Sequence, residues 1–184
     1  VARKKNNLLI CEGYMDVISL YQNGIKSVVA PLGTSLTENQ INLAWKYTSK
    51  PTIMFDGDKA GTKAAYKTAL TALSLINSKK FLQFINLPDN QDPDSYINSN
   101  SLENFVEILK NPVSLVNFIF YQSSIAFPIN NADDKIIFDK YLDDIINTIK
   151  DNKIKFFYKN ELKSLFFQKI KSSKGNFKKR TSNA

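Results

Sequence analysis

Apolar positions in the first 86 residues fall into four short runs rich in β-branched residues, at 8–11, 27–30, 52–55 and 81–86. Their length and composition predict strands. Between them the apolar spacing changes to steps of three and four, predicting helices over 14–22, 38–47 and 60–76. Local chemistry agrees with these boundaries. Asn23-Gly24 offers left-handed backbone where the first helix should stop, and Thr37 with Gln40 three residues on is a capping-box pattern at the start of the second. Strands alternating with helices imply βαβ units and a mostly parallel sheet, whose ligands bind outside the carboxyl ends of the strands.

Beyond about residue 98 the strand-like runs stop. Ser101 can cap a helix over 102–110, Pro112 can start another near Val113, and two longer helices are predicted at 133–151 and 154–171. In the last, Ile154, Phe157, Tyr158, Leu162, Leu165, Phe166 and Ile170 make a stripe facing a core. Residues 172–184 are polar and basic and read as a disordered tail or linker. The predicted organisation is an α/β core over 1–98, an all-α subdomain over 99–171 and a tail over 172–184.

Composition removes most catalytic classes. The chain of 184 residues is 43% hydrophobic and 23% charged, as globular proteins are. No run approaches the roughly 18 apolar residues of a membrane span, and no apolar leader opens the chain, so it reads as cytoplasmic and free of membrane. Having no His excludes Ser-His-Asp and Cys-His catalysis and His-ligated metals. The one Cys, Cys11, excludes an internal disulfide and reads as a small buried strand residue. The net charge of +8 suggests nucleic acid until it is located: residues 1–151 hold 15 basic and 16 acidic side chains, and 152–184 hold 10 basic and one acidic. In that basic segment Lys155, Lys159 and Lys163 recur every four residues opposite the apolar stripe, as a solvated helix face or a contact for template or a partner.

The acids are placed more pointedly. Glu12 follows the first strand, with Asp16 in the helix behind it; Asp56 and Asp58 follow the third strand, and Asp92 and Asp94 the fourth. Alone, either D-x-D is a turn or a helix N-cap. Together they put six carboxylates just beyond strand ends, where with no cation they would repel one another or take up protons. A hard divalent cation, Mg²⁺ or Mn²⁺, resolves that conflict. Gly57 and Gly61 let the backbone approach closely, and Lys59 is placed to meet a phosphate.

The strings Ile10-Cys11-Glu12-Gly13-Tyr14-Met15-Asp16-Val17-Ile18, Leu32-Gly33-Thr34-Ser35, Phe55-Asp56-Gly57-Asp58-Lys59-Ala60-Gly61 and Leu87-Pro88-Asp89-Asn90-Gln91-Asp92-Pro93-Asp94 resemble, in order and spacing, the Toprim domain of bacterial DNA primases. The likeness covers about residues 1–125. It implies a Toprim-type sheet followed by a helical subdomain, and template-directed synthesis of RNA primers from NTPs on single-stranded DNA by two-metal nucleotidyl transfer. Carried onto this chain, Glu12, Asp56 and Asp58 are the principal catalytic and metal-binding acids, and Asp16, Asp92 and Asp94 complete the metal cluster. Lys59, Gly33, Thr34 and Ser35 are nucleotide or template contacts. The resemblance also implies a replicative helicase and a single-strand-binding protein as partners of the longer protein, and a monomeric fragment. Zinc is expected only in an N-terminal domain that, with a basic subdomain, would precede Val1, so the isolated chain is expected to make little or no primer. The alternatives are a Toprim nuclease or topoisomerase fragment, or a non-catalytic Mg²⁺-binding regulatory module.

Overall fold

Each strand is short. In the computed structural model, which describes residues 7–31, 33 and 35–181 and only the backbone from 173 on, the chain runs β1 (Leu9–Ile10), α1 (Tyr14–Gln22), β2 (Val28–Val29), α2 (Glu38–Ala44), β3 (Thr52–Ile53), α3 (Lys59–Leu73) and β4 (Gln83–Phe84). It continues through α4 (Pro93–Asn100), α5 (Leu102–Lys110), β5 (Val113–Ser114), α6 (Leu115–Ala126), α7 (Ala132–Ile146) and α8 (Asn152–Thr181). The sheet has the order β2-β1-β3-β4-β5. Its first four strands are parallel, and β5 pairs antiparallel with β4.

Register explains why the strand residues are apolar on both sides, as a sheet covered on two faces requires. Leu9 pairs with Val28 and Thr52, and Ile10 with Val29 and Ile53. Leu9, Cys11, Val28, Met54, Ile85 and Leu87 therefore share one face, where they pack with Leu20, Ile97 and Phe105. Ile10, Ile53 and Phe84 point the other way and are equally buried. The Thr37 capping box forms as its spacing predicts: Gln40 N–H donates to Thr37 Oγ1 at 3.3 Å, and Thr37 N–H to Gln40 Oε1 at 2.9 Å. Gly24 closes α1 at φ 89°, a left-handed value that suits glycine.

The chain divides into two compact units, residues 1–119 and 120–184, so the α/β unit reaches past the expected boundary at 98. Two features carry it there. The segment 93–100, which carries no predicted element, is helical because Asp92 caps it and Pro93 occupies its first turn. Val113–Ser114, expected to open a helix, extends the sheet instead, and Phe118 stacks on Phe84 with ring centroids 4.0 Å apart.

The second unit is built on aromatic packing. Phe138 is fully buried, with the rings of Phe120, Phe127 and Phe166 at 5.9, 5.6 and 5.4 Å. Ile154, Leu162 and Phe166 of the predicted stripe are buried, while Phe157 is 58% exposed. The evenly spaced lysines are largely spent within the unit: Lys159 lies 3.2 Å from Asp143, and Lys163 pairs with Asp139. The backbone of α8 continues to Thr181 where a disordered tail was expected. Residues 182–184 lie outside the described residues. No helix among the described residues is long and apolar enough to cross a membrane.

Candidate metal centre at the carboxyl edge of the sheet

Parallel pairing of β1, β3 and β4 carries the chain out of the sheet at one edge three times, and the acids follow at those exits. Glu12 leaves β1, Asp56 and Asp58 leave β3, and Asp92 and Asp94 follow β4 at the start of α4. Asp16, in the first turn of α1, is buried beside them at 7% exposure.

Three of the acids hold helix starts in place. Gly61 N–H donates to Asp58 Oδ1 at 2.7 Å at the head of α3, and Ser95 N–H to Asp92 Oδ1 at 2.7 Å at the head of α4. Gly13 N–H donates to Asp16 Oδ2 at 3.0 Å at the head of α1. Each carboxylate thus sits against the positive end of a helix, which favours its charge. Capping occupies one oxygen of each of these three groups.

The two loops are zipped together. Gly57 N–H donates to the Gln91 carbonyl at 2.8 Å, and Asn90 N–H to the Gly57 carbonyl at 3.2 Å. A Cβ on Gly57 would overlap the Pro88 carbonyl oxygen, and one on Gly61 would lie 2.8 Å from the Asp56 backbone nitrogen. Both positions therefore need glycine for close approach, as the spacing suggested. Asn90 completes the turn at φ 60°, a conformation asparagine tolerates better than most residues.

Electrostatics show that five of the acids form one group around Asp56. Burial first, then the charges of Asp16, Glu12, Asp92 and Asp58, raise the Asp56 pKa from 3.8 to about 7. Burial also raises Glu12, helped by Asp58 and Asp16 and opposed by a hydrogen bond from the Asp56 backbone. Asp16 is raised by burial and by Asp92 and Asp94, against the Gly13 hydrogen bond. Asp94 is exposed and joins the cluster through Asp16; it accepts from Ser19 Oγ and, at 3.3 Å, from Asn98 Nδ2. Burial, then Asp16 and Asp56, push the Cys11 thiol well above its ordinary value, which keeps it protonated and bars it as a nucleophile.

The donor set fits a hard cation. Glu12 Oε2 and Asp56 Oδ1 are buried with no hydrogen-bond partner, as is the side-chain oxygen of Gln91. An unsatisfied buried acceptor is costly, and each of these is an oxygen of the kind Mg²⁺ prefers. Among the described residues no three acids stand close enough to ligate one ion as they are, with Asp16, Asp58 and Asp92 each turned to a backbone N–H.

The remaining expected contacts are looser. Lys59 is exposed at the first position of α3. Gly33 is exposed with open space where a Cβ would go, Ser35 is half-buried, and Thr34 lies outside the described residues. Sequence reasoning missed two residues. Ser19 is three residues from Asp16 on α1, a helical spacing that could have flagged it, while Gln91 had only its place beside Asp92. An apolar groove of about 490 Å³ between β2 and α2, lined by Val29, Leu36, Leu43 and Tyr47 among others, contains no carboxylate and lies apart from this chemistry.

Known proteins resemble this chain in sequence and fold. The Toprim-like family pattern matches residues 9–97. The DNA primase of Rickettsia typhi is 38% identical over 167 residues, which are 91% of this chain and 28% of that protein. A DNA primase domain from Pseudomonas aeruginosa superposes with a TM-score of 0.79 at 28% identity, covering 90% of this chain and 53% of that one. The DnaG primase catalytic domain bound to ssDNA superposes at 0.78 with 30% identity, covering 89% and 54%. The chain thus spans about a quarter of the length of its full-length relative. It belongs to the bacterial DNA primase family, as the Toprim-containing part of the catalytic domain.

Proposed function

We propose that this chain supplies the catalytic acids with which a longer primase makes short RNA primers on single-stranded DNA in the bacterial cytoplasm. The observation that carries this reading is the pair of orphaned buried oxygens, Glu12 Oε2 and Asp56 Oδ1, inside a ring of acids at the strand ends. Glu12, Asp56 and Asp58 would hold Mg²⁺ or Mn²⁺, with Asp16, Asp92 and Asp94 as the surrounding acidic shell. A cation held there would offset charge on the attacking and leaving oxygens in the displacement of pyrophosphate from an NTP by a 3′-hydroxyl.

The chain's own residues do the positioning. The backbone bonds between Gly57, Asn90 and Gln91 tie the β3 and β4 exits together, and the charge of Asp92 reaches Asp56. Lys59 stands at a helix N-terminus, where backbone and side chain together favour a phosphate. Gly33 and Ser35 follow β2, and with Thr34 they would meet nucleotide or template. Single-stranded DNA, NTPs and the RNA product are the ligands of this reading, and helicase and single-strand-binding protein contact the longer protein. That a related DnaG catalytic domain is described bound to ssDNA supports the template assignment.

The test uses the complete primase that contains this chain. Asp56→Ala and Glu12→Ala should abolish primer synthesis while circular dichroism stays unchanged. Synthesis at wild-type rate in either variant would overturn the assignment.

A further inference from the structure

The outward face of α8 has a composition that neither the sheet edge nor the helical core explains. Phe156, Phe157 and Phe167 are 60%, 58% and 59% exposed. At about 100° per residue they share a strip with Lys153, Asn160, Ser164 and Lys171, all exposed, opposite the buried Ile154, Leu162 and Phe166. From Lys153 to Lys171 the strip runs roughly 27 Å along the helix.

Charge separates this face from the flank beside it. Lys159 and Lys163 turn to Asp143 and Asp139 of α7, whereas Lys153 and Lys171 form no ion pair among the described residues. Glu161, the one acid in residues 152–184, stands at the margin of the strip. Further along the same segment the sequence adds Lys174, Lys178, Lys179 and Arg180. The large apolar groups on the strip are all aromatic, with no Leu, Ile, Val or Met among them. Phe156 and Phe157 meet edge to face, their centroids 5.5 Å apart at 77°, so that their ring faces point in different directions.

A face that docked another protein helix would gain most from aliphatic side chains that interlock. Rings interleaved with lysines and with an amide and a hydroxyl instead match a strand of bases and phosphates, since bases stack on rings and cations follow the backbone. We propose that the outward face of α8 binds single-stranded nucleic acid, through residues other than the sheet-edge acids and requiring no metal.

The experiment is fluorescence anisotropy of the 184-residue chain with labelled 15-mers of thymidylate and uridylate in EDTA, the two arms standing for a DNA template and an RNA strand. Replacing Phe156, Phe157 and Phe167 together by Ala should weaken binding at least about tenfold in one arm or both. The triple Leu variant should lose as much, because Leu keeps the apolar surface but cannot stack. Lys153→Ala with Lys171→Ala should reduce the slope of log affinity against log salt by about 1.4, near 0.7 for each phosphate contact. Both Phe variants binding as the wild type would overturn the proposal. So would a wild-type dimer in sedimentation that the Ala variant dissociates with no change in nucleic-acid affinity, which would make the face a self-association surface.

Discussion

Asp56→Asn should stabilise the metal-free protein above neutral pH. In the fold Asp56 holds its proton up to about pH 7, against 3.8 for an ordinary aspartate, because it is desolvated and surrounded by Asp16, Glu12, Asp92 and Asp58. The folded state therefore binds this proton more tightly than the unfolded chain does. Its stabilising effect is fully present below pH 3.8, declines as pH rises from there through about 7, and is gone above that. Taken at face value the shift is worth roughly 4 kcal/mol. Asp56 is only half-buried, so solvent screening reduces this to about 2 kcal/mol. Asn keeps the shape and removes the charge, so at pH 8 in EDTA the variant should be about 2 kcal/mol more stable than wild type. The advantage should vanish at pH 3.5. The assay is urea unfolding followed by the fluorescence of Trp45, the single tryptophan, which is buried in the acid-bearing unit. Adding Mg²⁺ should raise the wild-type midpoint and leave the variant nearly unmoved, since a ligand that binds only the fold stabilises it by mass action. A variant no more stable than wild type at pH 8 in EDTA would refute the reasoning, because the acids would then not be repelling one another.

Three other substitutions probe the framework. Gly57→Ala should cost about 2 kcal/mol, since relieving the overlap with Pro88 breaks two loop bonds worth about 1 kcal/mol each, and the same Trp45 unfolding curve reads it. Phe138→Ala should cost about 3–5 kcal/mol, seen as a lowered melting temperature by circular dichroism, because it empties the centre of the aromatic core. Lys163→Ala should cost less than about 1 kcal/mol by the same measurement, as its pairing with Asp139 is partly solvated.

What could be read in the sequence follows from how local the determinants were. The helices at Tyr14–Gln22 and Leu102–Lys110 carry their boundaries in adjacent residues and match the prediction to the residue. The acids were legible because a parallel sheet makes strand ends converge whatever the intervening segments contain. Three features were not legible. The helix at 93–100 has two Ser and two Asn among its eight residues, poor helix formers, and depends on the Asp92 cap. The lysine row at 155, 159 and 163 looked like a free basic face because Asp143 and Asp139, the partners of Lys159 and Lys163, lie on another helix, some twenty residues earlier. Phe157 fits the apolar stripe by spacing, yet periodicity alone could not place it on the exposed side of the stripe's edge.

We propose that the orphaned oxygens of Glu12 and Asp56 mark a divalent-metal site. A crystal structure with Mn²⁺ and an NTP tests it most directly, through the anomalous signal of the metal. Manganese density should contact Glu12, Asp56 and Asp58, with an NTP phosphate beside it. Manganese bound elsewhere, with those three carboxylates left without an ion, would contradict it.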